Sequence, residues 1–533
     1  MSDDPSQFNL TDYFLGAGQL LQFSENTAIE FHDNRLTYIE LRAEVERWVR
    51  RLENHGVNKG DRLALLLYDS SELIACFLAV ASLGAICVPI NTFLPADDVA
   101  FILADSGARL LIAESELQDK ASSIGTVNLD AILTVDTQTR SACDDKPDRR
   151  AEARARSYKV AQTTRETPAF LLYTSGSTGI PKGVLHRHGS IPFTVESYAN
   201  SVLKLTKDDR VFSSSRMFFA YGLGNSLSFP LAAGATVLLE PERMNADRLA
   251  SFIEDRKPTV FFGVPAIYLS LLDYQSNGGR VDFSGVRLCV SAGEALPSKI
   301  FEDWQREFGL TILDGIGSTE MLHIFISNRE ENSRAGSSGM VVEGYEARLI
   351  DDSGEAVVTN ALGNLWVKGG SETVGYWNRP DLTERTIVDG WVRTGDVYRR
   401  DEEGFYYHIG RSDDCFKVHG LWVSPIEVES VLVSHEAVSE AAVICATDES
   451  GLATARAYVV IRQCERGHVP EDVPKGLEDE LRRFAASRLP HHKVPAHIQF
   501  IEEMPRTSTG KIQRFKLRET VSDSVGGPDD KEK

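Results

Sequence analysis

Between residues 36 and 115, amphipathic stretches alternate with short, almost wholly apolar ones. Apolar residues recur at helical spacing from Glu40 to Gly56, and the run from Arg62 to Asp69 reads as a strand. A buried helix is expected over Ser70 to Leu83, then a strand over Ile86 to Ile90, a helix over Asp97 to Ser106 and a strand over Arg109 to Ala113. Strand, helix and strand in that order predict a layered α/β sheet. Leu73 to Ile90 carries no charge over 18 residues, close to the length of a membrane span. Ser82, Gly84 and Pro89 interrupt it, so a helix running into a strand is expected and a membrane span is not.

Residues 137–166 are charged, rich in Thr, Arg and Ala, and poor in large apolar side chains, which predicts an exposed loop or short surface helix. Alternation resumes at Thr167. Beyond about residue 345 the pieces become shorter and β-rich: Tyr345 to Ile350, Asn364 to Lys368 and a hairpin from Gly390 to Ile409. A small α+β unit follows, with a helix over Pro425 to Val433, strands at 440–445 and 456–462, a helix over Leu477 to Ser487 and a strand over His497 to Ile501. The tail, Asp523 to Lys533, reads as disordered.

Length and charge narrow this picture. The chain has 533 residues, and single cores stop growing near ~250–300 residues, so at least two domains are expected. Its 57 Lys and Arg against 78 Asp and Glu give a net charge of −21. Such a chain lacks the positive charge that neutralises phosphate backbones, so nucleic acid is not an expected partner. A small anionic substrate is still compatible, because a local donor site can overcome the global field. Seven cysteines with no CxxC pair, and an acidic N-terminus without an apolar leader, point to a reducing compartment, the cytoplasm.

The most informative segment is Tyr173-Thr-Ser-Gly-Ser-Thr-Gly-Ile-Pro-Lys-Gly183, which follows the apolar run Ala169 to Tyr173. Glycines alternating with hydroxyls let backbone N–H groups converge on one point, and Lys182 adds a charge, a combination suited to a polyphosphate. The spacing is not that of a Walker A loop, since Gly183 follows the lysine. Further along come Ser291-Ala-Gly-Glu-Ala-Leu296, Asp314-Gly-Ile-Gly-Ser-Thr-Glu320, Arg393-Thr-Gly-Asp396, Gly410-Arg-Ser-Asp-Asp414, Lys417-Val-His-Gly420 and Pro505-Arg-Thr-Ser-Thr-Gly-Lys511. In content and order these motifs resemble the adenylate-forming superfamily of acyl- and aryl-CoA ligases, adenylation domains and luciferases.

The resemblance implies a fold and a reaction. The fold class is α/β: a large multi-subdomain N-terminal domain of layered βαβ sheets with a β-rich part (1–411), and a small mobile α+β C-terminal domain (412–533) pivoting at Asp413. The reaction joins a carboxylate to ATP, giving acyl-AMP and pyrophosphate, and then transfers the acyl group to a thiol. ATP, Mg²⁺ and coenzyme A are the implied cofactors. Lys511 is similar to the lysine that bridges carboxylate and phosphate oxygens, Glu320 to the Mg²⁺ ligand, and Thr178 joins them as a catalytic residue. Thr174, Ser175, Gly176, Ser177, Thr178, Gly179 and Lys182 are similar to the phosphate-binding loop. Gly293, Glu294 and Ala295, with Asp314, Gly315, Ile316, Gly317, Ser318 and Thr319, resemble the walls around the nucleotide. Asp396 and Arg411 resemble the ribose-binding pair, and Lys417 and Gly420 the loop presented in the thioester-forming state.

Met217-Phe-Phe-Ala-Tyr-Gly-Leu-Gly-Asn225 and Gly317-Ser-Thr-Glu-Met-Leu-His-Ile-Phe325 resemble the benzoate-CoA ligase branch. By that resemblance Ala220, Tyr221, Gly317, His323 and Ile324 enclose an aryl ring. Phe218 and Phe219 read equally as core or site aromatics, and the ring substituents stay open: substituted benzoates, furoate, fused aryl acids and cyclohexane carboxylate all fit a slightly altered pocket. Two alternatives to an aryl-CoA ligase are an enzyme loading a carrier-protein phosphopantetheine and an inactive nucleotide-binding homologue. A homodimer is a further expectation. His186-Arg-His188, expected in a helix after the loop, and His435 have no metal-site spacing and read as surface or packing residues.

Overall fold

The computed structural model describes residues 7–117, 120, 129–137, 160–175, 180–351, 353–419, 421–447, 452–462, 476–506 and 512–518. Two sheets, parallel at their centres and antiparallel at edges, carry the N-terminal part of the chain. One has seven strands in the order Gly375–Tyr376, Pro181–Arg187, Pro168–Ser175, Ile86–Pro89, Arg62–Leu66, Leu110–Glu114 and Ala131–Val135. The last five are mutually parallel; the first two add antiparallel to the edge. The other has nine strands in the order Met340–Val341, Ile324–Ser327, Ile312–Gly317, Leu288–Ser291, Val260–Gly263, Arg210–Ser213, Thr236–Leu239, Thr27–Phe31 and Asn34–Thr37. Central strands such as Val260–Gly263 and Leu288–Ser291 are buried throughout, as expected where helices cover both faces of a parallel sheet.

Local signals account for the element boundaries. Thr37 and Glu40 form a reciprocal capping box that starts the helix Tyr38–Asn54. The Ser70 hydroxyl caps the helix Ser71–Ser82 by accepting from Leu73 N–H at 3.2 Å. That helix and the strand Ile86–Pro89 account for the uncharged stretch, and no helix among the described residues is long and apolar enough to cross a membrane.

One expectation is overturned. His186 and Arg187 lie in a strand, not a helix, because Pro181–Arg187 is committed to an antiparallel ladder with Pro168–Ser175; His188 follows in a turn, and the next helix begins at Ser190. A second is modified. Thr163, within the stretch expected to be an exposed loop, is 2% exposed and bonded to Phe8 and Asn9; residues 138–159 lie outside the described residues. The tail 523–533 also lies outside them.

By contacts the chain forms two compact units: 1–347 with 366–393, and 348–365 with 394–533. The division runs through the strands Leu362–Lys368 and Trp391–Arg400. The expected domain boundary at 411/412 falls inside the second of these units. The smaller unit contains the expected α+β elements: helices Pro425–Val433 and Leu477–Ala486, strands Val438–Thr447 and Ala453–Ile461, and the parallel strand His497–Phe500. Val428, Leu432, Val443, Ala457 and Leu481 form the centre of its core.

Candidate active site

In the larger unit the strands Pro168–Ser175 and Pro181–Arg187, before and after the Gly-rich segment, pair antiparallel. Thr174 lies opposite Lys182 and Ser175 opposite Pro181. Gly176, Ser177, Thr178 and Gly179 lie outside the described residues.

The carboxyl ends of Leu288–Ser291 and Ile312–Gly317, paired in register at Ser291 and Asp314, bring two further predicted segments together. Open parallel sheets bind ligands at this end. Gly293 and Glu294 are exposed just beyond the first strand, and Ala295 is half-buried. Gly293 has φ +94°, a conformation that favours glycine. Asp314 is buried, and desolvation pushes its carboxyl well above the usual range, against the pull of the nearby Leu296 and Gly315 backbone N–H groups and the Ser291 hydroxyl. Gly315, Ile316 and Gly317 continue the strand against Ile324–Ser327. Gly317 is needed for this close return, since a Cβ there would lie 2.6 Å from His323 O.

The turn from Ser318 to His323 carries Glu320. Its backbone is strained: Leu322 is buried yet has φ +65°, a region bulky side chains seldom enter. Bonds from separate elements hold it there. His186 Nε2 donates to Thr319 O (2.8 Å), Thr373 N–H to Glu320 O (2.7 Å) and Ser371 Oγ to Met321 O (2.8 Å). The Ser318 hydroxyl accepts Met321 N–H at 3.2 Å. On the Glu320 side chain, Tyr376 OH donates to Oε1 at 2.6 Å. No cluster of three or more His, Cys, Asp or Glu suited to a metal ion occurs among the described residues. A half-buried carboxylate with one oxygen so engaged fits Mg²⁺, which takes one or two carboxylates and completes its shell with phosphate oxygens and water.

Beside this turn is an aromatic cluster. Ala220 and half-buried Tyr221 open a short helix that continues as a π-helix over Gly224–Ser228; a second π-helix spans Val195–Leu203. His323 is surrounded by Phe229, Tyr198 and Tyr221, with ring centroids at 4.5, 5.3 and 5.5 Å. Burial lowers its pKa to about 3, so the imidazole is neutral, and Nε2 donates to Asn225 Oδ1 at 3.1 Å. Gly224 makes room for it: a Cβ there would lie 2.3 Å from His323 Cδ2. Ile324 is buried alongside. The approach to Ala220 is fixed from the other sheet, where buried Asp69 accepts Met217 N–H at 3.1 Å. Desolvation pushes Asp69 up to about 6, against the pull of Arg216. Phe218 is buried against Phe93 and Phe219, and Phe219 is half-buried.

In the smaller unit, Asp396 lies opposite Arg411 on paired strands. Arg411 Nη1 reaches Asp396 Oδ1 at 3.2 Å, and His408 Nε2 is 3.4 Å from the same oxygen. Burial alone would raise this carboxyl, but the His408 and Arg411 interactions hold it below its usual value. Gly395, at φ +75°, lets the guanidinium approach, since a Cβ would lie 2.7 Å from Arg411 Nη2. Asp413 is exposed in the turn after Arg411, and Lys417 Nζ sits 4.6 Å from the centroid of the Trp422 ring. Gly420 and Lys511 lie outside the described residues; on either side of Lys511, Arg506 and Ile512 form a β-bridge.

Four residues bonded to the turn and the aromatic cluster were not among the candidates: His186, Asn225, Thr373 and Tyr376. Tyr376 and Glu320 are 56 positions apart, and no local pattern joins them.

Residues 18–377 match the AMP-binding enzyme family, and residues 427–511 match the AMP-binding enzyme C-terminal domain. The benzoate–CoA ligase of Thauera aromatica is 39% identical over 517 residues, covering 96% of this chain and 96% of its own. The crystal structure of the anthranilate CoA ligase AuaEII in complex with anthranoyl-AMP superposes with a TM-score of 0.88 at 36% identity, over 98% of this chain and 99% of that one. A benzoate CoA ligase from Burkholderia xenovorans LB400 gives a TM-score of 0.84 at 39% identity, over 96% of this chain and 100% of that one.

Proposed function

The chain belongs to the AMP-binding enzyme family, and from that premise we propose that it is an ATP-dependent aryl-CoA ligase. The observation that carries this reading is one arrangement in the larger unit. The phosphate-loop hairpin is bonded to the Glu320 turn through His186, and that turn runs directly into the aromatic cluster of Tyr221 and His323. A triphosphate held at the first is thereby within reach of a flat carboxylic acid held at the second.

In the first half-reaction a carboxylate oxygen attacks the α-phosphorus of ATP and pyrophosphate leaves. In the second, the thiol sulfur of CoA attacks the acyl carbonyl, its proton is lost to solvent, and AMP leaves. Lys511 neutralises the two anions brought together in the first step, where one aimed donor is typically worth ~3–4 kcal/mol. Thr174 to Gly179 and Lys182 hold the phosphates, with Thr178 among the reacting groups. Gly293 to Ala295 and Asp314 to Thr319 flank the nucleotide, and Asp396 with Arg411 takes the ribose. Glu320 would hold Mg²⁺, which supplies charge neutralisation on the phosphates. Rotation at Asp413 exchanges Lys511 for the Lys417 to Pro425 loop, which contains Gly420, between the two steps. Ala220, Tyr221, Gly317, His323 and Ile324 enclose the ring; apolar walls with few polar groups favour a small aryl acid. The five described cysteines are free, which supports a reducing compartment, proposed to be the cytoplasm.

Pyrophosphate release tests this across benzoate, amino- and hydroxybenzoates, furoate, cyclohexane carboxylate and medium alkanoates, each with and without CoA. Aryl acids should release pyrophosphate and form a thioester with free CoA. Turnover of alkanoates with inert aryl acids would overturn the substrate class, and turnover only with a holo-carrier protein would overturn CoA as acceptor.

A further inference from the structure

The short strand Gly375–Tyr376 is the outermost strand of its sheet, and its partner is the strand that leaves the phosphate loop. Gly375 pairs with Leu185 and Tyr376 with Val184. Val374 N–H donates to Leu185 O (2.9 Å), Trp377 N–H to Gly183 O (2.8 Å) and Thr373 Oγ1 to Leu185 O (2.7 Å). Tyr376 therefore stands at a fixed distance along the strand from Lys182. From there its hydroxyl donates to Glu320 Oε1 at 2.6 Å, while Thr373 N–H holds the Glu320 carbonyl at 2.7 Å. One segment thus grips Glu320 by side chain and backbone, and is itself fixed to the strand that carries Lys182.

We propose that Tyr376 is a positioning residue for the metal-binding carboxylate. Its hydroxyl occupies Oε1 and fixes the rotamer, so that Oε2, which accepts no hydrogen bond among the described residues, meets the cation at a set position relative to the phosphate loop. This rests on the reading of Glu320 as the Mg²⁺ ligand. A long carboxylate side chain gives up rotamer freedom when it binds a cation, and the phenol removes that freedom in advance.

The test compares the wild type, Tyr376→Phe and Glu320→Gln by two measurements. The first is the Mg²⁺ dependence of pyrophosphate release at saturating ATP and aryl acid. The second, without turnover, is Mn²⁺ binding to the enzyme with a non-hydrolysable ATP analogue, followed by electron paramagnetic resonance. Tyr376→Phe should raise the half-saturating metal concentration about tenfold in both, as expected for loss of a hydrogen bond to a charged group. It should leave KM for the aryl acid and the thermal midpoint within error, which a general packing defect would not. Unchanged metal dependence in Tyr376→Phe, with a raised one in Glu320→Gln, overturns the positioning role. Unchanged metal dependence in Glu320→Gln overturns the metal assignment of Glu320, and the positioning role with it.

Discussion

Replacing His186 by phenylalanine should flatten the acid side of the stability profile. The imidazole is fully buried and stacked on Phe170, with centroids 5.2 Å apart and planes at 21°. Burial lowers its pKa from 6.5 to about 4, partly opposed by the bond to Thr319 O and reinforced by Arg187. The folded state therefore keeps the ring neutral, while the unfolded chain takes up a proton as pH falls below about 6.5. Between these two values the unfolded state binds more protons, so stability falls with acidification; above about 6.5 neither state titrates and the contribution is flat. From about pH 7.5 to pH 5 the loss amounts to about 2 kcal/mol. Phenylalanine preserves a flat ring against Phe170 and removes the titration. At pH 7.5 the variant loses a hydrogen bond, a cost of about 1 kcal/mol, because Thr319 O still accepts Leu322 N–H at 3.0 Å. His188, lowered to about 4, and His323, lowered to about 3, act in the same sense as His186. Asp69, raised to about 6, acts oppositely, since its relief from ionisation favours the folded state as pH falls. The informative quantity is thus the difference between variant and wild type, from reversible urea unfolding followed by tryptophan fluorescence at several pH values. Unfolding free energies that run parallel from pH 7.5 to 5 would refute the reasoning.

Gly224→Ala should push the new methyl into His323, at 2.3 Å from Cδ2, and cut kcat/KM for aryl acids more than tenfold while nucleotide binding persists; steady-state kinetics and ATP titration separate the two. Lys511→Ala should abolish acyl-AMP formation and spare thioester formation from supplied acyl-AMP; equal loss of both half-reactions contradicts its role. Asp413→Pro should slow the thioester step more than adenylation in single-turnover assays, and the reverse order would count against a hinge there.

Much of the scaffold was legible from local chemistry. The helix Pro425–Val433 has the bounds read from sequence, because Ser424 caps it and Pro425 opens it. The strands around 62–66, 86–89 and 110–114 follow from apolar runs that only a doubly covered sheet requires. Longer-range features were less accessible. Whether His186 lies on a helix or strand depends on a ladder with Pro168–Ser175 that the local sequence does not encode. The π-helical turns at Val195–Leu203 and Gly224–Ser228 keep the apolar pattern of an ordinary helix, so the placing of Asn225 beside His323 emerges only in three dimensions. Gly224 and Gly317 were visible as glycines in motifs, but the reason for each, the approach of His323, was not.

The strained turn at Leu322 bears on how such a pocket can be exchanged between relatives. Its backbone persists because His186, Ser371 and Thr373, from two distant stretches of chain, hold its carbonyls. A graft of residues 318–323 alone would arrive without those supports and relax to a commoner conformation. The transplantable module is therefore discontinuous: the turn, the strand through His186 and the segment 371–376 must travel together.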